Sequence, residues 1–174
     1  MHSDNSLIRH NLRYNLPLGI KGSSYIELYP ENGYYGKTSL EKELVRVVSF
    51  KLQAKHPNTL LYSVGLGVSG QVSTPNGTSL KLSIMPVWID KNGKQNNRSY
   101  LSYYSRFKFP LRFKIDSFGE WNIASENGIN WTYGELFLNK SISKSIDVGY
   151  NPRLVSDGDA MPMVEQGVGF RVNF

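Results

Sequence analysis

Hydrophobic side chains recur at every second position over most of this chain, the pattern of strands whose two faces meet different surroundings. The longest run spans Leu101 to Ile115. Leu101, Tyr103, Phe107, Phe109, Leu111, Phe113 and Ile115 share one parity, broken only by Ser105, while Ser102, Tyr104, Arg106, Lys108, Arg112 and Lys114 share the other. Tyr62, Val64, Leu66, Val68 and Val72 alternate with Ser63, Gly65, Gly67, Ser69 and Gln71, and Leu80, Leu82, Ile84 and Trp88 oppose Lys81 and Ser83. Ile146, Val148, Tyr150, Pro152 and Leu154 oppose Asp147, Gly149, Asn151 and Arg153. Pro152, which has no N–H for a sheet ladder, predicts a strand end or bulge there. The last segment sets Val164, Val168, Phe170, Val172 and Phe174 against Glu165, Gly167, Gly169, Arg171 and Asn173, and the first sets Ile8, Leu12, Tyr14, Leu16 and Leu18 against Arg9, Asn11, Arg13 and Asn15.

Weaker strands are predicted at Ser24 to Pro30 and Leu44 to Ala54, with a short one marked by Trp121 and Ile123. Ile129, Trp131, Tyr133 and Phe137 begin another, yet Leu136 and Leu138 have the opposite parity, which predicts a bulge near Gly134. Between these segments lie Glu31-Asn32-Gly33, Pro75-Asn76-Gly77, Lys91-Asn92-Gly93 and Glu126-Asn127-Gly128, sequences that favour hairpin turns. No helical period intervenes, which argues against a parallel βαβ fold. The expected fold is all-β: an antiparallel up-and-down barrel of about eight to ten strands, with residues 1–174 as one domain.

Composition narrows the chemistry. The 174 residues include 16 Gly, 11 Tyr, 8 Phe and 3 Trp but no Cys, so disulfides and thiolate chemistry are excluded. No stretch approaches the roughly 20 apolar residues of a membrane-spanning helix. Met1 to His10 lacks the apolar core of a signal peptide, so either an export signal has been removed or the chain begins partway through a larger barrel.

Alternation alone does not say which face points out, because soluble barrels bury their apolar face. Three features favour the reverse. The polar parity is rich in Gly and Ser as well as charge, and Tyr14, Tyr29, Trp88, Tyr103, Trp121, Trp131 and Tyr150 sit near strand ends or midway, in keeping with the aromatic girdles that barrels place at the two membrane interfaces. The third feature is the ending Gly169-Phe170-Arg171-Val172-Asn173-Phe174, which resembles the terminal strand of bacterial outer-membrane β-barrel proteins. Val172 stands where that family often has an aromatic residue. The resemblance implies a transmembrane barrel surrounded by outer-membrane lipid, with Phe170, Val172 and Phe174 as an assembly signal read by the barrel-assembly machinery. With Phe174 in the periplasm, Ser156–Met163, Glu126–Gly128, Asp90–Ser99 and Ala54–Thr59 become outer loops. Asn139–Ser145, Asp116–Gly119 and Thr74–Gly77 become periplasmic turns, and an even strand count returns the N-terminus to the periplasm. Glu31–Lys42 is then unusually long for a periplasmic turn.

The 20 Lys and Arg exceed the 14 Asp and Glu, a net charge of +6. Much of this excess falls on the polar parity: Arg9, Arg13, Arg106, Lys108, Arg112, Lys114, Arg153 and Arg171, with Lys51 and Lys81, outnumber Glu27, Glu120, Asp147 and Glu165. Such a basic lumen fits a narrow porin-like passage for anionic solutes, or an ion-pair network that fills a small barrel as a structural element. Catalytic motifs are weak. His2, His10 and His56 lack triad spacing, Asp157 and Asp159 supply too few ligands for a calcium site, and no nucleic-acid module is present. The expectation is a non-enzymatic barrel with no metal, cofactor or nucleic acid. A membrane-embedded hydrolase would need a polar cluster near the outer rim. The alternative is a soluble β-sandwich or lipocalin-like module binding carbohydrate or lipid, to which the Tyr34–Tyr35 pair could contribute a stacking surface.

Overall fold

A computed structural model describes residues 8–28, 33–57, 63–90, 92–93, 95–96, 98–124, 128–144, 146–155 and 163–172. The strands are β1 (Ile8–Leu16), β2 (Ile20–Leu28), β3 (Tyr34–Val45), β4 (Val48–Pro57), β5 (Ser63–Ser73), β6 (Ser79–Asp90), β7 (Gln95–Asn96), β8 (Arg98–Lys108), β9 (Phe113–Ala124), β10 (Gly128–Ser141), β11 (Ile146–Tyr150), β12 (Arg153–Val155), β13 (Met163–Glu165) and β14 (Val168–Val172). They form an antiparallel up-and-down sheet in the order β1-β2-β3-β4-β5-β6-β8-β9-β10-β11-β14, with the short β7, β12 and β13 off this path. The all-β meander therefore stands. Among the described residues the path has eleven members, an odd number, with β1 and β14 at its two ends.

The chain divides into two compact units, one comprising Met1–Ser69 and Met85–Ser99, the other Gly70–Ile84 and Tyr100–Phe174. In the first, β1 pairs with β2 from Ile8–Leu28 to Leu16–Ile20, β2 with β3, and β3 with β4. In the second, β9 and β10 are paired over most of their length, and β11 is held between β10 and β14.

Several boundaries differ from the sequence reading. The Leu101–Ile115 run is two strands, β8 and β9, separated by a 3₁₀ turn at Pro110–Arg112. Pro110 cannot donate to a ladder, and Leu111 and Arg112 have left-handed φ values of 57° and 63°. Phe109 N–H donates to the Phe113 carbonyl at 2.9 Å, closing the hairpin. Leu18 likewise lies in the turn Pro17–Gly19, at φ 63°, and not in a strand. Asp116–Gly119 is not a turn but the interior of β9, and Trp121 and Ile123 extend that same strand. Glu31–Lys42 is mostly β3, whose backbone pairs on both sides with β2 and β4. β3 continues to Val45, so the next strand begins at Val48 and not at Leu44, and β4 reaches Pro57, inside the expected loop Ala54–Thr59. The turn expected at Asn139–Ser145 is also shorter, because β10 runs to Ser141.

Two irregularities were anticipated. The register of β10 against β9 shifts between Trp131 and Tyr133, a bulge centred two residues before Gly134. The strand containing Pro152 breaks between β11 and β12, and its neighbour breaks between β13 and β14 in step with it: Asn151 N–H donates to the Gly167 carbonyl at 2.7 Å across the gap.

Burial is inverted relative to a soluble sheet protein. In the first unit Glu27, Lys37, Ser39, Lys51 and Gln53 are buried while Leu12, Ile26, Leu28 and Phe50 are exposed. In the second Ser83, Asp116, Asn139 and Asp147 are buried while Leu82, Ile84, Phe107, Phe113, Leu136 and Leu138 are exposed. Among the described residues the buried hydrophobic side chains are Met85 and Trp88, each 2% exposed. Trp88 is thus not on the apolar face, where its parity placed it. It lies beside Met85 against Gly65, where a Cβ would come within 2.6 Å of the indole and 2.9 Å of the Met85 methyl.

Candidate functional site

In the second unit the charged part of the buried face is built on β8 to β12. Registered pairs in an antiparallel sheet point the same way, so Lys114 and Asp116 on β9 share a face with Asn139 and Phe137 on β10. Asp147 on β11 joins them by pairing with Ser141. Arg106 clamps Asp116 with two hydrogen bonds, Nε to Oδ1 at 2.6 Å and Nη2 to Oδ2 at 3.0 Å, and the Tyr104 hydroxyl donates to the same Oδ1 at 3.2 Å. This bidentate fork is the strongest geometry available to an Arg–carboxylate pair. Lys114 Nζ reaches both Asp147 oxygens at 3.2 and 3.3 Å, and Ser141 Oγ donates to Oδ1 at 2.5 Å. Arg153 Nε lies 3.8 Å from Glu135 and donates to Asn151 Oδ1 at 3.2 Å, while the Tyr133 hydroxyl donates to Glu135 at 3.2 Å.

The first unit carries a shorter version. Lys51 Nζ is 3.8 Å from Glu41 with both side chains mostly buried, and Ser39 Oγ donates to Gln53 at 3.4 Å. Beside them Lys55 sits 5.1 Å above the Trp88 ring, a cation–π contact.

Of the eight basic residues expected to line the lumen, Arg106, Lys114 and Arg153 are gathered on this face and each is matched to a carboxylate. Lys108 and Arg112 are not: both are exposed, at the end of β8 and in the turn that follows. Their positions follow from the hairpin that splits the long run. Arg13, in register with Ser23, is exposed as well. The backbone of Arg9 pairs with Glu27 and that of Arg171 with Asp147, and their side chains lie outside the described residues. Phe170 and Val172 are in β14, paired with Val148 and Ile146; Phe174 lies outside the described residues, as do Asp157 and Asp159. The face also includes groups that parity did not single out as functional, chiefly Asp116, Glu135 and Asn139. Asn139 is 1% exposed, and its Oδ1 has no hydrogen-bond partner.

The opposite, apolar face has a polar row and an aromatic cluster of its own. In the first unit the half-buried side chains of Tyr14, Ser24, Thr38 and His56 form a row across four strands: Tyr14 OH to Ser24 at 3.4 Å, Ser24 to Thr38 at 3.1 Å, and Thr38 to His56 Nε2 at 3.4 Å. His56 was expected in a loop but belongs to β4. The row contains no carboxylate to orient the imidazole, so it lacks the third member of a nucleophile relay; its polar atoms satisfy one another. In the second unit Trp121 and Trp131 meet edge to face at 4.8 Å, with Tyr103 5.5 Å from Trp121. These rings lie over Gly119 and Gly134, where a Cβ would come within 2.4 Å of Tyr103 and 2.1 Å of Trp131. Only glycine admits so close a ring.

No family model matches the chain, and neither a curated protein nor a solved structure matches it.

Proposed function

We propose that this chain forms a transmembrane β-barrel of the bacterial outer membrane, without enzymatic activity, whose buried polar face is the interior and whose exposed apolar face meets lipid. The observation that carries this reading is the inversion of burial: Asp116, Asn139 and Asp147 are hidden while Phe107, Phe113 and Leu138 are bare. A soluble sandwich or lipocalin-like module would cover those apolar side chains and wet the polar ones. The Tyr103–Trp121–Trp131 cluster suits an interfacial girdle, since Tyr and Trp rings favour the boundary between hydrocarbon and water.

Within this reading the interior serves as a structural ion-pair network before it serves as a passage. Arg106, Lys114, Arg153 and Lys51 each have an acidic neighbour, which leaves less of the basic excess to attract anionic solutes than the sequence suggests. The terminal strand, with Phe170, Val172 and Phe174, is the segment for the barrel-assembly machinery to read. The test is refolding from denaturant with and without detergent micelles, followed by electrophoresis of heated and unheated samples. β-Structure that requires detergent, with a heat-modifiable band, is the expected result. A monodisperse folded protein in detergent-free buffer would overturn the membrane reading in favour of a soluble binding module.

A further inference from the structure

In the second unit a groove of about 490 Å³ opens on the apolar face, lined chiefly by Phe109, Phe113, Ile115, Leu138 and Val148, with Lys140 at its edge. That volume falls within the range of ligand pockets, roughly 300 to 1,000 Å³. Its apolar walls come from register: Leu138 opposes Ile115, and Lys140 opposes both Phe113 and Val148.

The rim is cationic. Lys108 and Arg112 at the β8–β9 turn, and Lys140 and Lys144 at the β10–β11 turn, are all exposed. The two stretches read Lys-Phe-Pro-Leu-Arg-Phe (108–113) and Lys-Ser-Ile-Ser-Lys (140–144), without an acidic residue. Among the described residues none of these four cations is in an ion pair, unlike Arg106, Lys114 and Arg153 of the buried face. Lys140 instead lays its ammonium 5.1 Å from the Phe113 ring centroid, at the boundary between groove and rim. Leu111, 81% exposed at the apex of the same turn, adds an apolar tip among these charges.

An apolar channel that ends under unpaired cations matches one molecular shape: an acyl chain carrying an anionic head group. We infer that the groove holds one anionic phospholipid, with an acyl chain along Phe113, Ile115, Leu138 and Val148 and the phosphate between Arg112 and Lys140. The inference rests on the membrane reading above. It goes further by naming a lipid class and a fixed position on the wall, where an unselective lipid shell would show neither. A short-turn rim faces the periplasmic leaflet in such barrels, so the occupant is a glycerophospholipid and not a phosphorylated glycolipid of the outer leaflet.

The experiment uses the full chain refolded in detergent micelles, with equal amounts of phosphatidylglycerol and phosphatidylcholine of identical acyl chains, and counts retained lipids by native mass spectrometry. The wild type should keep one phosphatidylglycerol in preference to phosphatidylcholine by about fivefold or more, the value of one Lys or Arg beside an anionic lipid surface. The double variant Arg112→Gln, Lys140→Gln should fall to near parity, and Val148→Trp, which fills the groove, should lose both lipids. Both double-variant changes are at exposed positions and should leave the heat-modifiable band intact, so they test the site even if the tryptophan variant misfolds. Equal retention of the two lipids by the wild type, or a preference that survives the double substitution, would overturn the site while detergent-dependent folding still upheld the barrel. Displacement of phosphatidylglycerol by a phosphorylated glycolipid at equal concentration would overturn the choice of occupant. Folding in buffer before any detergent is added would overturn the barrel and the site together.

Discussion

Both units bury charge, Lys51 beside Glu41 in the first and Lys114 beside Asp147 in the second, but they fill the rest of the buried face by different means. Between Met85, Trp88 and Gly65 the first unit uses apolar bulk, placing an indole where a glycine leaves room and seating Lys55 on its ring. Between Arg106, Asp116, Lys114 and Asp147 the second uses ion pairs with additional hydroxyl donors from Tyr104 and Ser141. Apolar bulk tolerates small shifts, because dispersion is non-directional and methionine adapts its shape. The ion pairs tolerate few, since a buried charge that loses its partner keeps its desolvation cost.

The largest expected effect breaks the second arrangement. Asp147→Leu strands Lys114 and should destabilise the folded protein by about 3 to 4 kcal/mol, measured by denaturant titration in micelles. Adding Lys114→Met should recover much of that loss; no recovery would mean that Asp147 acts through Ser141 or its strand pairing instead. Across the sheet, Ile84→Arg tests whether the outward face of the same unit meets hydrocarbon. Ile84 sits in the middle of β6 and should cost about 2 to 4 kcal/mol in liposome refolding, whereas Phe109→Arg, beside the turn, should cost about 1 kcal/mol or less. Equal costs would mean that depth along the strand does not set the environment. In the first unit Met85→Ala should cost about 2 kcal/mol by opening a void under Trp88, and that loss should not change with salt. The smallest effect concerns the turns. Leu111→Gly should stabilise by about 0.5 kcal/mol, because relief of a left-handed leucine is partly offset by the entropy of glycine. Leu18→Gly should not match it if the Lys42 ammonium, which donates to the Leu18 carbonyl, already holds that turn in place.

The alternation was legible because each strand separates two environments, and most face assignments follow from parity. What parity missed has a geometric reason. Phe109 and Phe113 are four residues apart, as are Leu16 and Ile20, so a three-residue turn preserves even spacing and the hydrophobic count passes through it unbroken. Pro110 and Pro17 were the available signals. β3 was overlooked for the opposite reason: its apolar-side positions are Gly36, Thr38, Leu40 and Lys42, which carry little hydrophobic contrast, and backbone pairing on both edges holds the strand. Trp88 was misplaced because alternation assigns side chains by number and does not register the space left by Gly65 in a neighbouring strand. In the candidate site, the cations were legible as residues, but which ones are neutralised depended on locating the 109–112 turn. That turn takes Lys108 and Arg112 out of the network and leaves Arg106 and Lys114 within it.

The bulge in β10 acts on the strand much as a frameshift acts on a coding sequence. Up to Trp131 the odd residues belong to the apolar face; from Gly134 onward the even ones do. Thr132 is the extra character, and its hydroxyl donates to the Glu120 carbonyl at 3.0 Å, occupying a backbone acceptor at the skipped position. Removing Thr132 alone would therefore leave the message readable, with Trp131, Gly134, Leu136 and Leu138 in unbroken alternation, at the loss of that one hydrogen bond. Removing a single residue elsewhere between Gly134 and Ser141 would scramble the text beyond the deletion, sending leucines inward and Asn139 out. Of the positions in this strand, Thr132 is where length can change without changing sense.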